Sequence, residues 1–309
     1  MVDPETFLTE LYVCVDDWCK TQPPPPVQPG PPARLTTSEI MTLAIYAQQT
    51  RFGSERAFYA HAQRQLRRLF PGLPSRPRFN RLRRAAEDAL TAFALFIGQT
   101  LAVGDERSFE TLDGTGLVVR NLKRRGRSWL AGQADVGKCT RLDWYLGVRL
   151  LLSTTPGGII TGWGIGPAST NDRTLAETFF AVRAGVLPPL PSVGTATSDC
   201  LVADMGFSGR ACQDRWATSY GAVVICPPKP DAKHPWPKAL RRWLGSIRQV
   251  IEAVNDRLLF RCGLDRERPH ALDGLQAHLA AAVALHNVWC WCNARAGRGL
   301  LQHADLIEW

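Results

Sequence analysis

The sequence predicts an α/β fold, a mixed central sheet flanked by helices, behind an all-α front end. Three observations predict it. From residue 35 to about residue 103 the apolar residues recur at helical spacing. At about Ser108 the texture changes to short apolar or alternating runs bounded by Gly, Pro, Asn and Asp. Past Arg241 the helical period returns, and Ile247, Val250, Ile251, Val254 and Leu258 make one apolar stripe.

In chain order, Pro4 to Thr21 reads as a short helix on Phe7, Leu8, Leu11, Tyr12, Val15 and Trp18. TQPPPPVQPGPPA follows, an extended polyproline spacer, because proline fixes φ and lacks an N–H. Thr36 and Glu39 have the spacing of a capping box ahead of the apolar run IMTLAIYAQQ. Glu55 to Phe70 makes a second helix of this region, and Arg78 to Val103 a third. SFETLDGTGLVV reads as a strand and NLKRRGRSW as a basic loop. LDWYLGVRLLLSTTPGGIITGWGIGPA reads as two strands joined at Pro-Gly-Gly. STND caps the helix RTLAETFFAVRAG, SVGTATSDCLVADMGF is a strand running into a loop, and GAVVICPPK is another strand. Helices at Arg241 to Phe260 and Gly274 to Arg295 close the chain, and there is no internal repeat. The division is a helix at 1–22, a Pro-rich linker at 23–34, a helix-turn-helix-like region at 35–105, an α/β domain at 106–265 and a helical extension at 266–309.

With 309 residues and 45% hydrophobic content the chain can bury a large core, and its net charge of +9 suits a polyanionic partner, most simply nucleic acid. The base is concentrated. Arg51, Arg56, Arg64, Arg67, Arg68, Arg76, Arg78, Arg81, Arg83 and Arg84 face only Glu55, Glu87 and Asp88 over short helices. Forked guanidinium groups on such helices suit phosphates, so the 35–105 region is read as DNA-binding, with Arg78, Arg81 and Arg84 as candidate contacts. A solvated helical face has the same composition. The nine cysteines form no CxxC pair and the six histidines no HExxH, so both read as structural or surface residues rather than metal ligands. The acidic N-terminus MVDPETFLTE is unlike a secretory leader, and no window is long and apolar enough to span a bilayer, so a cytoplasmic protein with no membrane partner is expected.

Three carboxylates stand out. Asp113 lies in LDGTGL on the first predicted strand, among residues that should be buried. Asp204 lies in LVADMGFSG, after an apolar strand and before a glycine turn. Glu252 lies on the edge of the late apolar stripe with Arg248 one helical turn before it. A buried carboxylate has to be paired, protonated or metal-bound. Acids delivered by a first strand, a strand end and a late helix can meet at one sheet edge, where hard oxygen ligands suit Mg²⁺ or Mn²⁺. Two such ions activate water and stabilise the leaving oxygen in phosphodiester cleavage. Taken singly, Asp113 and Asp204 could be turn residues and Arg248–Glu252 a surface ion pair. Asp199 and Asp256 are rivals for the second and third acid.

These blocks resemble the DDE transposases of bacterial insertion sequences, most nearly those of the 982-type elements. RLTTSEIMTLAIYA is similar to that family's N-terminal helix, and LFPGLPSRPRFNRLRR to the stretch after it. TLDGTGL, LVADMGFSG and IRQVIEAVNDRL resemble the blocks carrying the first aspartate, the second aspartate and the glutamate. The resemblance implies an RNase H-like catalytic domain in which Asp113, Asp204 and Glu252 hold Mg²⁺ or Mn²⁺, two ions in all. It also implies cleavage of the element's terminal inverted repeats, joining of their 3′-hydroxyls to target DNA, and a homodimer in the DNA complex. Arg248 matches the arginine that precedes the glutamate. Departures from the family pattern are Gly245 for a tyrosine, Leu259 for a lysine, Met205 for a basic residue, and Asn171-Asp172 for a His-Asp pair, which leaves Asp172 as an auxiliary candidate. Arg257, Arg261 or the loop of Lys123, Arg124, Arg125 and Arg127 are expected to supply DNA contacts in place of the missing ones, although a basic turn of this kind can also be merely solvated. The alternatives are a stand-alone Mg²⁺-dependent nuclease of the same fold and a DNA-binding protein that has lost the chemistry.

Overall fold

A computed structural model describes residues 2–23, 34–49, 52–103, 109–123, 130, 132–228, 235–266, 269–303 and 306–308. Most of the polyproline spacer, together with Arg51, Arg124, Arg125 and Arg127, lies outside them.

Among the described residues, five α-helices precede the first strand: α1 (Pro4–Thr21), α2 (Thr37–Tyr46), α3 (Glu55–His61), α4 (Arg76–Ala85) and α5 (Glu87–Ala102). Asp3 caps α1 by accepting the N–H groups of Glu5 (3.0 Å) and Thr6 (2.9 Å). The expected capping box starts α2: Glu39 accepts the Thr36 N–H at 2.7 Å, and Thr36 Oγ1 accepts the Glu39 N–H at 3.2 Å. The single helix expected from Arg78 to Val103 is two. The chain breaks at Ala86, which leaves helical geometry at φ −92°, ψ 10° with no proline or glycine nearby. Tertiary pairing accounts for the break. Arg83 on α4 is drawn inward to Glu55 at 3.0 Å, whereas α5 turns Leu90, Phe93, Ala94 and Ile97 into the core.

The strands are β1 (Glu110–Arg120), β2 (Asp135–Cys139), β3 (Asp143–Thr154), β4 (Ile160–Pro167), β5 (Cys200–Ala203) and β6 (Val223–Ile225). Between and after them lie α6 (Asp172–Arg183), α7 (Arg210–Tyr220), α8 (Lys238–Asp256) and α9 (Leu272–Arg295). Neither β2 nor α7 was expected. The five residues of β2, Asp-Val-Gly-Lys-Cys, hold one strong apolar residue and no apolar alternation, and α7 buries only Trp216.

The sheet is mixed. Its order is β2-β3-β1-β5-β6, with β4 also pairing β3. β1 runs antiparallel to β3, and β3 antiparallel to both β2 and β4, whereas β1, β5 and β6 are parallel. Strand alternation divides the side chains between two layers. Leu112, Leu151, Leu201, Ala203 and Val224 pack under α6 and α7 with Phe179, Phe180 and Trp216. On the other face Leu117, Val119, Val148, Leu150 and Leu152 share a core with α5, α9 and the end of α8. That core continues into α1, α2, α3 and α4 without a gap, so the helices before residue 105 pack against the sheet domain's own helices. Val202 lies under the first half of α8, against Leu244 and Ile247.

On the α6 face an ion pair replaces apolar packing. Glu110 is wholly buried and accepts from Arg183 Nη1 (2.6 Å), Thr197 N (2.8 Å), Thr197 Oγ1 (2.6 Å) and Ser153 Oγ. Burial pushes its carboxyl up, but Arg183 and the hydroxyl donors more than offset this and hold it below the ordinary range. The first residue of β1 is thereby tied to β3, to α6 and to the approach to β5.

Among the described residues, no helix is long and apolar enough to cross a membrane.

Candidate active site

β1 outruns its parallel neighbour. The register places Leu112 opposite Ala203, after which β5 ends while β1 continues to Arg120. The next residue on each chain is an aspartate, so Asp113 and Asp204 leave the paired strands side by side. The carboxyl end of a parallel strand, where the neighbouring chain turns away, is where open α/β sheets form crevices. Asp204 also accepts the Gly206 N–H at 2.7 Å, which starts a single 3₁₀ turn over Met205–Phe207. The Asx-turn reading and the cluster reading are therefore both true of this residue.

α8 supplies the third acid. Its buried residues Leu244, Ile247, Ile251 and Val254 fix its rotation over the sheet, and Glu252 then points to the open side. Arg248 Nη2 meets Glu252 Oε1 at 3.1 Å on the same helix. One turn further on, Asn255 is buried and donates through Nδ2 to Asp113 Oδ2 at 2.7 Å. Asp113, Asp204, Glu252 and Arg248 thus line one open cleft, together with Asn255 and Asp256.

A fourth carboxylate enters from the other face. Asp172, in the first turn of α6, is gripped by Arg149 of β3 through Nε–Oδ1 at 2.5 Å and Nη2–Oδ2 at 2.7 Å. It lies directly over Gly114 and beside Gly206, where a methyl at either position would press into its carboxylate. Gly114, next to Asp113, and Gly206, two residues after Asp204, leave the room that Asp172 takes. Lys138, Arg141 and Arg149 complete a basic rim, so the cleft has acids on its floor and cations along its wall.

These charges act on Asp113. Burial, then the adjacent Asp204, and then Asp172 and Glu252 push its carboxyl up to about 7 against the opposing pull of Arg248. The Asn255 bond favours the ionised form. Replacing Asn255 by Ala is expected to raise the Asp113 pKa further and to move the acid limb of any activity profile toward higher pH. Following the Asp113 carboxyl by NMR titration checks this. An unchanged titration would reduce Asn255 to packing.

The other candidates fall elsewhere. Lys123 is exposed beyond the end of β1 and does not line the cleft. Arg124, Arg125 and Arg127 lie outside the described residues. Arg78, Arg81 and Arg84 are on α4, where Arg76, Arg81 and Arg84 border a separate shallow groove with Asn80 and Glu55. Arg84 is also 3.6 Å from Asp273. Of the two rival acids, Asp256 lines the cleft and Asp199 does not.

The donor chemistry fits Mg²⁺ or Mn²⁺, since the acids of the cleft offer only oxygen and Asp113 carries a charge conflict that a cation would relieve. The packing is not closed around an ion. Two of the acids are answered by Arg149 and Arg248 instead. Among the described residues no three His, Cys, Asp or Glu side chains are gathered tightly enough to hold a metal ion. Asn255, Arg149, Arg141 and Lys138 were missed in the sequence. For Asn255 a signal existed, since it stands three residues after Glu252 and so on the same side of the helix.

No protein-family model, curated protein or solved structure matches this chain.

Proposed function

We propose that the chain is a metal-dependent DNA transposase of the DDE kind, with an RNase H-like catalytic domain. The observation that carries this reading is the delivery of Asp113 and Asp204, side by side, to the point where the parallel pairing of β1 and β5 ends, with Glu252 brought over them by a late helix. Four strands joined by antiparallel pairing, β1 to β4, followed by β5 and β6 parallel to β1, support the RNase H-like part. The basic rim of Lys138, Arg141, Arg149 and Arg248 suits a phosphodiester backbone drawn against the acids.

In this reading Asp113, Asp204 and Glu252 hold Mg²⁺ or Mn²⁺, and Arg149 keeps Asp172 aligned beside them. Cations bound there supply Lewis acidity at the phosphoryl oxygens and lower the pKa of a water. Attack of water on phosphorus breaks the P–O3′ bond at the element end and leaves a 3′-hydroxyl on the element and a 5′-phosphate on the flank. That hydroxyl then attacks a target phosphodiester, forming one P–O bond and releasing a target 3′-hydroxyl. The helical region before β1 holds the terminal inverted repeat, two copies of the chain hold two ends, and the enzyme works in the cytoplasm.

The test is incubation with a labelled duplex carrying the flanking repeat, a supercoiled target plasmid and Mg²⁺ or Mn²⁺. Nicked and joined products are expected, and Glu252→Gln should reduce both by at least about 10²-fold. Nicking without joining would reduce the reading to a nuclease. Nicking by Glu252→Gln at the wild-type rate would remove Glu252 from the site.

A further inference from the structure

The part of α8 that precedes the cleft carries unpaired base. Lys238, Arg241 and Arg242 are exposed, and among the described residues none of their side chains has an ion-pair or hydrogen-bond partner. The first turn contains no acidic residue, and no acid occurs on α8 before Glu252. Cations at this end work against the helix dipole and repel one another, so the arrangement brings the fold itself no gain.

Their direction is fixed by packing. Leu244 and Ile247 are pinned on Val202, Phe109 and Trp236, which sets the rotation of the helix. At 100° per residue, Lys238, Arg241, Gly245, Arg248 and Glu252 then follow one another along a single stripe. Arg248 and Glu252 are already at the cleft. Gly245 has nothing within 4 Å of the place a Cβ would take, so the stripe is unobstructed midway. From Lys238 to Glu252 it runs about 21 Å, the rise of about six nucleotide steps of a duplex.

We infer that this stripe is a DNA track: Lys238 and Arg241 hold successive phosphates of the duplex and lead its backbone to Arg248 and the acidic cleft. The inference rests on the reading of the cleft as a DNA site, and it adds a binding surface on α8 itself, apart from α4 and the 123–127 loop.

The experiment measures binding of a fluorescein-labelled 40-base-pair duplex by anisotropy, between 50 and 300 mM NaCl. It compares the full-length chain with Lys238→Ala/Arg241→Ala, with Arg241→Glu, and with Lys20→Ala as a control on α1. Losing two phosphate contacts should lower the slope of log K against log salt by about 1.8 and weaken binding about 10- to 100-fold at the low-salt end. Arg241→Glu, which turns one attraction into a repulsion, should weaken binding by more than half of the double variant's loss on a logarithmic scale, and Lys20→Ala should bind as wild type does. Thermal unfolding of the α8 variants should match wild type or lie slightly above it. Wild-type affinity and slope in the double variant would overturn the track while leaving the cleft reading in place. The same would follow if the variant changed only the oligomeric state. Failure of the wild-type chain to bind the duplex at all would overturn both.

Discussion

Asp113→Asn is expected to stabilise the protein at pH 8 while abolishing the proposed cleavage. The carboxyl has an ordinary value of 3.8 and is pushed up to about 7 in the folded chain. Between those values the native state keeps a proton that the unfolded chain has lost. Stability from this group is therefore complete below the unfolded value and is lost as pH rises through the folded one. Above pH 7 the wild type bears the whole cost of a buried charge crowded by Asp204, Asp172 and Glu252, on the order of 4 kcal/mol as an upper figure. An asparagine keeps the shape and can still accept from Asn255, so most of that cost disappears. Urea unfolding at pH 5 and pH 8 checks the sign: the gap between variant and wild type should widen with pH. A bound cation should close it, because ligand binding to the native state adds RT ln(1 + [L]/Kd). Mn²⁺ should then raise the wild-type melting temperature and leave Asp113→Asn unmoved. A variant less stable than wild type at pH 8 would contradict the charge conflict, and equal stabilisation of both by Mn²⁺ would place the metal elsewhere.

Arg183→Met is expected to cost stability heavily, about 3–5 kcal/mol, because it strands a wholly buried carboxylate. Among the described residues, Glu110 then keeps Ser153 and Thr197 as donors. The loss should be smaller in Glu110→Gln/Arg183→Met, since removing both charges leaves neither unpaired, and the difference from additivity measures the coupling. The pH dependence runs opposite to that of Asp113. The Glu110 carboxyl lies below its ordinary 4.5, so its stabilisation is present above that value and is lost as pH falls through the folded one. Glu110 stands three residues before Asp113 on β1, so loosening this anchor should also blunt any activity the cleft has. Chemical unfolding of the two variants decides the matter. A change under about 1 kcal/mol for Arg183→Met would mean that water or local rearrangement satisfies Glu110.

What could be read from the sequence depended on how local the cause was. Thr36–Glu39 and Asp3 are caps written within four residues, and the helices they start lie where the spacing puts them. The apolar runs of β1, β3 and β4 needed no partner to be recognised as strands. Asp113, Asp204 and Glu252 drew notice because each sits at the edge of an apolar run, and the fold brings all three to one cleft. The break at Ala86 was not legible, since its cause is the pairing of Arg83 with Glu55, which lies 28 residues away in sequence. Arg149–Asp172 was hidden for the same reason. Only the β3–β1 register and the two glycines bring α6 over the acids. β2 holds its place through pairing with β3 alone and carries no apolar period of its own. The arginines of 35–105 were legible as charge but not as function: Arg83 is a buried structural partner, whereas Arg78 and Arg81 are exposed.

The most direct measurement compares wild type with Asp204→Ala on a duplex that carries the flanking terminal repeat, scoring binding and Mg²⁺- or Mn²⁺-dependent nicking in the same samples. The proposed function predicts that both proteins bind and that only wild type nicks, at the repeat end, leaving a 3′-hydroxyl. Nicking by Asp204→Ala at the wild-type rate, or binding without nicking by either protein, would contradict it.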